Sequence, residues 1–317
     1  MGVWDTNVFV TGPNGFVGPW VIKDVLGKGA KVFALVKEDI KGSMFNEIKN
    51  NNLVVVRGDV RDYDLLKRVI SGNDIRICIH LAAQSTVTIA NKSPLETLET
   101  NIRGTYYLLE ALRNSEAERI VVASSDKAYG TQKLPYKEDD ELKGLYPYDA
   151  SKVCLDVLAR TYANTYGMPL AVTRCCNIFG GGDMNPNIVP DTLKKVLKNE
   201  NPVIRSDGTP VRQYLYIKDA VYAYTLLTEK LLDEKVKGEA FNFGSSDPIS
   251  VMDLVNLILR LTGKENLKPE ILGTAKREID EQYLSSEKAK KLLNWEPKYS
   301  LEDGLKETIE WYKRHLK

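Results

Sequence analysis

Apolar residues recur along the first half of the chain in two alternating textures. Short β-branched runs at 7–11, 31–36, 53–57, 75–81, 119–124 and 170–174 have the length and composition of buried strands. Between them, 17–27, 63–71, 94–114 and 147–166 carry apolar positions at three- and four-residue steps, the period of a helix with one buried face. Such alternation predicts βαβ units, and so an α/β fold with a doubly wound parallel sheet covered on both faces. In the third helix, Leu95, Leu98, Ile102, Tyr106, Leu109 and Leu112 form a stripe that needs cover from the sheet or from a second subunit.

After Arg174 the texture changes. A loop rich in Gly, Asn and Pro (180–187) leads into less regular sequence with helices expected at 190–198, 218–230, 251–261 and 301–315. We read residues 1–175 as one domain, with a segment at about 211–242 returning to it, and 176–317 as mainly a smaller α/β substrate-binding domain. There is no internal repeat and no Ser/Gly linker, so the two parts are expected to pack over a cleft.

Composition narrows the partners. The chain has 317 residues, 43% apolar and 27% charged, enough for a large core. Lys plus Arg (44) against Asp plus Glu (43) leaves no global field to draw nucleic acid or a membrane surface, so a small molecule is the expected partner. The first residues lack the pattern of a signal peptide, and no apolar run approaches the ~20 residues of a membrane span. A cytoplasmic location is expected. Cys78, Cys154, Cys175 and Cys176 show no C-x-x-C spacing and read as reduced core thiols. With only His80 and His315 present, neither a metal site nor a Ser-His-Asp triad is expected.

The first strand runs into Thr11-Gly12-Pro13-Asn14-Gly15-Phe16-Val17-Gly18, three glycines at G-x-x-G-x-x-G spacing where a helix begins. In that context Gly12 makes the tight turn, Gly15 lets backbone approach a pyrophosphate, and Gly18 lets helix and strand pack closely. The helix N-terminus then offers free N–H groups to phosphate. This predicts a Rossmann dinucleotide site lined by Gly12, Asn14, Gly15, Phe16, Val17 and Gly18. The second strand ends at Val36-Lys37, where NAD sites often carry an acid, so Lys37 favours the 2′-phosphate of NADP over NAD. Asp59 and Val60 after the third strand suit an adenine contact, and Leu81, Ala82 and Ala83 after the fourth suit close passage beside the dinucleotide.

Tyr148 and Lys152 lie four apart at the start of a helix and so share one face. A free phenol has a pKa of about 10, so taking a proton from a sugar hydroxyl at neutral pH needs a nearby cation to favour phenolate. One strand-length upstream stands Ser124-Ser125-Asp126-Lys127-Ala128-Tyr129-Gly130.

Taken in order, the glycine loop, Gly58-Asp59, Leu81-Ala82-Ala83, Asn101 in Asn101-Ile102-x-Gly104-Thr105, Ser125, Tyr148-x-x-x-Lys152, Asn177, Val211-Arg212-Gln213-Tyr214 and Leu293-Asn294-Trp295-Glu296-Pro297 resemble the extended short-chain dehydrogenase/reductase family of nucleotide-sugar epimerases and dehydratases. The resemblance implies a tightly bound NAD or NADP, held in part by Asn101, Tyr148 and Lys152, and a nucleoside-diphosphate sugar as substrate. Asp126-Lys127 resembles the dehydratases, and Gly180-Gly181-Gly182-Asp183 looks like the CDP-glucose type. Val211–Tyr216 looks more like the dTDP-glucose and epimerase enzymes, which leaves the nucleotide open.

By the same resemblance, Tyr148 takes the 4-hydroxyl proton, Ser125 hydrogen-bonds that oxygen and Lys152 holds the cofactor ribose. Asp126 is the acid and Lys127 the base of a 4,6-dehydration, Lys127 being neutralised by desolvation or a neighbouring cation. Arg212 and Arg277 are candidates for the diphosphate, because an Arg fork matches phosphate oxygens. Gln84, Ser125 and Asn177 complete the expected sugar site. A 4-epimerase shares every step up to the ketone, and a non-catalytic dinucleotide sensor would need none of Ser125, Tyr148 and Lys152. The apolar stripes on 94–114 and 147–166 predict a homodimer.

Overall fold

A computed structural model of the chain describes residues 2–245, 247–274 and 279–316. The chain opens with β1 (Asn7–Thr11), α1 (Val17–Gly27), β2 (Lys31–Val36), β3 (Leu53–Arg57), α2 (Tyr63–Gly72) and β4 (Ile75–His80). The short helices α3 (Val87–Lys92) and α4 (Pro94–Leu98), a π-helical turn over Glu99–Arg103 and α5 (Gly104–Arg113) lead to β5 (Arg119–Ala123), α6 (Pro147–Tyr166) and β6 (Leu170–Cys175). The second half holds β7 (Asn177–Phe179), α7 (Ile188–Val196), β8 (Val203–Ile204), β9 (Val211–Arg212), β10 (Tyr214–Tyr216), α8 (Ile217–Lys230), β11 (Ala240–Phe243), β12 (Ile249–Ser250), α9 (Val251–Thr262), β13 (Glu270–Ile271), β14 (Glu281–Gln282), α10 (Glu287–Leu293) and α11 (Leu301–His315).

Seven parallel strands form the main sheet in the order β11-β6-β5-β4-β1-β2-β3. The two-residue period of a strand divides its side chains between two layers. Val8 and Val10 of β1 pack with Val21, Ile22 and Val25 of α1 and with Ala220 and Ala223 of α8. Phe9, between them, points the other way, into Leu66 and Ile70 of α2 and Leu108 and Leu112 of α5. β1 is therefore apolar on both faces, as a central strand covered by helices on both sides requires, while the edge strand β3 leaves Val55 exposed.

Smaller sheets flank the substrate side: β7 with β10, β8 with β13, and a three-stranded sheet β12-β9-β14. In the last, Arg212 is the register partner of both Ile249 and Gln282. Among the described residues no helix is long and apolar enough to cross a membrane.

Three expectations change. The helix over 94–114 runs through to Arg113 but takes one π-helical turn over Glu99–Arg103, and α3 precedes it. After that turn Gly104 lets the helix come close to Val60, since a Cβ there would lie 2.5 Å from Val60 Cγ1. The stripe is covered only in its second half, with Leu109 and Leu112 buried and Leu95 72% exposed. Finally, Cys154 is exposed and not a core thiol, because it sits on α6 opposite the buried face of Ser151, Lys152, Leu155 and Asp156.

Candidate active site

The three glycines differ in what surrounds them. Gly12 has a φ of +69°, and a Cβ there would meet Ala82 N at 2.8 Å, so no side chain fits where β1 turns over the end of β4. At Gly18 a Cβ would lie 2.3 Å from the Gly12 carbonyl oxygen. Gly15 is exposed, with only that oxygen near, at 3.5 Å, so its face of the loop stays open. Phe16 leaves the N-terminus of α1 without a side-chain cap, and the first turn, which contains Val17, has no acidic residue. An open glycine beside uncapped N–H groups fits a pyrophosphate.

Asn14 hydrogen-bonds the Glu38 carbonyl oxygen and accepts from Ser43 Oγ at 3.0 Å through its own carbonyl, tying the loop to the segment after β2. Lys37 lies in an ion-pair cluster. Its Nζ is 3.2 Å from Glu96 Oε1 and 3.5 Å from Asp59 Oδ2, and Arg61 grips the same two carboxylates. The hydrogen bond from the Arg61 side chain holds the Asp59 carboxyl down at about 2.

A buried chain of hydroxyls runs from the loop to the catalytic helix. Thr11 Oγ1 accepts from the Leu81 and Ala82 amides, both at 3.1 Å, and therefore donates to His80 Nδ1 at 2.7 Å. His80 Nε2 then donates to Thr105 Oγ1 at 3.0 Å, and Thr105 donates to the Asn101 carbonyl at 2.6 Å. Burial lowers the imidazole to about 3, which keeps it neutral in this tautomer. Asn101, in the π-helical turn, brackets Gln84 by accepting from its amide at 2.8 Å and donating to its carbonyl at 3.1 Å. The same Nδ2 reaches Ser151 Oγ at 2.8 Å, and Ser151 donates to the Tyr148 carbonyl at 2.6 Å.

Pro147 at the first turn of α6 sets the helix start, so Tyr148 and Lys152 both point inward and are buried. Lys152 Nζ donates to the Ala123 carbonyl at 2.7 Å and lies 5.8 Å from the centre of the Tyr148 ring. Burial lowers Lys152 to about 8, against the pull of Asp156. Burial pushes the Tyr148 phenol well up, and a hydrogen bond with Ser125 opposes that shift.

Where β5 ends, Ser125 Oγ donates to Asp126 Oδ1 at 3.0 Å and accepts from the Lys127 amide at 3.2 Å. Asp126 is 2% exposed, and its Oδ2 is buried with no hydrogen-bond partner among the described residues. Lys127 Nζ lies 4.0 Å from Asp126 Oδ1. Among the described residues, the charged groups seen facing Lys127 are carboxylates. The second is Asp149, whose buried carboxyl is raised by burial and drawn back down by the Lys127 charge. Sequence reasoning missed Asp149, although it lies inside the Tyr148–Lys152 motif.

Arg212 is buried, with Nη1 donating to the Val211 and Asp280 carbonyls at 2.8 and 3.2 Å. Asn177 donates to the Gln213 carbonyl at 3.1 Å, which holds β7 against the strand carrying Arg212. Arg277 lies outside the described residues. Also missed was Gln282, on β14, which contacts both Asp126 and Lys127. No local signal marks it, because its partners are far away in sequence.

Comparison with known proteins places this geometry. Residues 9–308 match the family model described as GDP-mannose 4,6 dehydratase. The chain is similar to the UDP-glucuronate 4-epimerase of Thermodesulfobacterium geofontis, with 32% identity over 97% of this chain and 96% of the relative. It is 29% identical to the CDP-glucose 4,6-dehydratase of Salmonella typhimurium, over 98% of this chain and 91% of the relative. Among solved structures it resembles the dTDP-glucose 4,6-dehydratase of Bacillus anthracis in complex with NAD, with a TM-score of 0.87 and 27% identity over 98% of this chain and 97% of that one.

Proposed function

The chain belongs to the extended short-chain dehydrogenase/reductase family of nucleotide-sugar dehydratases and epimerases, and we propose that within it the chain is a nucleotide-sugar 4,6-dehydratase. The observation that carries this reading is Asp126. A buried carboxyl with an oxygen left free among the described residues, next to Ser125 and Lys127, is placed to pass a proton to a leaving group, and oxidation at C4 alone has no use for that.

A nicotinamide dinucleotide bound in the glycine cradle supplies the hydride acceptor for C4 and the donor for C6. The Tyr148 oxygen takes the proton of the 4-hydroxyl, Ser125 hydrogen-bonds the same oxygen, and the Lys152 amine, 5.8 Å from the Tyr148 ring centre, is assigned to favour the phenolate. The 4-ketone acidifies the C5 proton. Lys127 removes it while Asp126 protonates the departing 6-hydroxyl, water leaves across C5–C6, and Lys127 returns the proton to C5 when C6 is reduced. The product is a 4-keto-6-deoxy sugar still linked to its nucleoside diphosphate. Arg212, with Arg277, is assigned to the diphosphate, and Gln84 and Asn177 to the walls of the sugar site.

For the cofactor we favour NAD, a change from the reading that Lys37 suggests in sequence. Asp59 and Glu96 already neutralise Lys37 and Arg61, and an added 2′-phosphate would face both carboxylates. NAD is also the dinucleotide in the related B. anthracis structure. We further assign a homodimer to the face that carries Leu95, Ile89 and Val157, each at least 45% exposed.

The deciding experiment is incubation with a panel of nucleotide sugars followed by mass spectrometry. Loss of one water from a hexose substrate supports the dehydratase. Conversion of the panel only to 4-epimers of unchanged mass overturns it in favour of the epimerase.

A further inference from the structure

Gln282 bridges the two residues on which water loss depends. Its Oε1 accepts from Lys127 Nζ at 2.8 Å, and its Nε2 donates to the Asp126 backbone carbonyl at 3.3 Å. Chemistry fixes this orientation of the amide, since an ammonium or amine offers hydrogens here and a carbonyl only accepts. The side chain is 1% exposed, so neither bond is replaced by water without rearrangement.

The backbone around Gln282 is pinned on both sides. Val211 N donates to the Asp280 carbonyl at 2.8 Å, and Gln282 is in register with Arg212. On the other side, Tyr136 N donates to the Tyr283 carbonyl at 3.0 Å and Ser285 N to the Tyr136 carbonyl at 2.8 Å. Leu284 N donates to Gln213 Oε1 at 3.0 Å. The amide therefore meets Lys127 from a fixed position, on the strand beside the one that carries Arg212.

We infer that Gln282 is a positioning residue: it fixes where the Lys127 amine stands beside Asp126, and it ties that amine to the strand pair that carries Arg212. Two contacts fix the place of the amine: the 2.8 Å hydrogen bond to Gln282 Oε1, and Asp126 Oδ1 at 4.0 Å. Without Gln282 the amine rotates freely, and the base is present but not aimed. The catalytic consequence rests on the dehydratase reading; the positioning itself does not.

The test uses the full-length enzyme with its dinucleotide, as wild type and as Gln282→Leu, which keeps the volume and removes both bonds. Three quantities are read: formation of reduced nicotinamide in a single turnover, loss of water from the product, and the rate at which an amine-specific acylating reagent modifies Lys127, followed by peptide mass spectrometry. We expect Lys127 to be modified several-fold faster, nicotinamide reduction to stay within about twofold, and water loss to fall by about 10²-fold. Equal modification of Lys127 in the two proteins, or equal loss in both chemical steps, overturns the inference. If Gln282→Leu does not fold, Gln282→Glu, of the same shape, takes its place. Its carboxylate pairs with Lys127, so modification should slow and water loss should fall, with nicotinamide reduction kept; unchanged modification again overturns it. If wild type releases no water from any sugar of the panel, the dehydratase reading fails, while Lys127 modification still decides the role of Gln282.

Discussion

Lys152 donates its 2.7 Å hydrogen bond to the carbonyl of Ala123, the last residue of β5, and not to the phenol of Tyr148. The cation is thereby anchored by the sheet and acts on Tyr148 through space, from 5.8 Å away. The phenol keeps its oxygen for the substrate and for Ser125.

Tyr148→Phe should accordingly leave nucleotide-sugar binding nearly intact and lower turnover by at least about 10²-fold, the scale of losing a positioned base. Calorimetry and steady-state kinetics on the same preparation check this. Retention of more than about a tenth of wild-type turnover removes Tyr148 from the proton-transfer role.

Asp126→Asn and Lys127→Ala separate the shared oxidation from the elimination. In both variants reduced nicotinamide should accumulate on the enzyme while water release falls by about 10²–10⁴-fold. Wild-type turnover in deuterated water should place deuterium at C5 of the product. Absence of label at C5, read by nuclear magnetic resonance, contradicts deprotonation there.

Denaturing the purified enzyme should release NAD. Lys37→Ala should leave dinucleotide retention largely unchanged, since this lysine serves the Asp59–Glu96 cluster. Release of NADP alone, identified by chromatography and mass, restores the reading that Lys37 binds a 2′-phosphate.

Light scattering on the protein at micromolar concentration should give the mass of two chains. Leu95→Lys, which places a charge on the exposed start of α4, should shift the protein to one chain without changing its circular dichroism. A wild-type monomer contradicts the homodimer.

His80 should make the fold sensitive to acid. In the unfolded chain the imidazole takes a proton below its ordinary value of 6.5; in the folded chain it does so only near 3. Stability is thus full above 6.5 and drains as pH falls toward 3, by about 2–3 kcal/mol at a pH of about 4.5. Urea unfolding of wild type and His80→Asn at neutral and acidic pH isolates the contribution. The variant should lose less stability on acidification than wild type, and equal losses contradict the assignment.

Much of this site is legible in the sequence, and the reason is local. The glycine loop, Ser125 to Lys127 and Tyr148 to Lys152 each lie within a few residues, and the apolar runs place the first six strands to within one residue of those observed. The illegible parts are set by contacts between distant segments. The π-helical turn that carries Asn101 beside Gln84 is followed by the close approach of Gly104 to Val60 and by Thr105 binding the Asn101 carbonyl. Gln282 gains its meaning only when β14 lies beside β9. The seventh strand, β11, is four residues long and carries too little periodicity to stand out.

The placement of β11 has a consequence for the order of synthesis. In the finished sheet β6 pairs with β5 on one side and with β11 on the other, yet β7, β10 and α8 are all made before β11. While the ribosome is still producing them, β6 presents an unpaired row of N–H and C=O groups, the kind of bare edge that recruits other chains. Co-translational aggregation of this protein should therefore begin at β6, and a chaperone that shields nascent chains is needed most in the interval between Cys175 and Ala240.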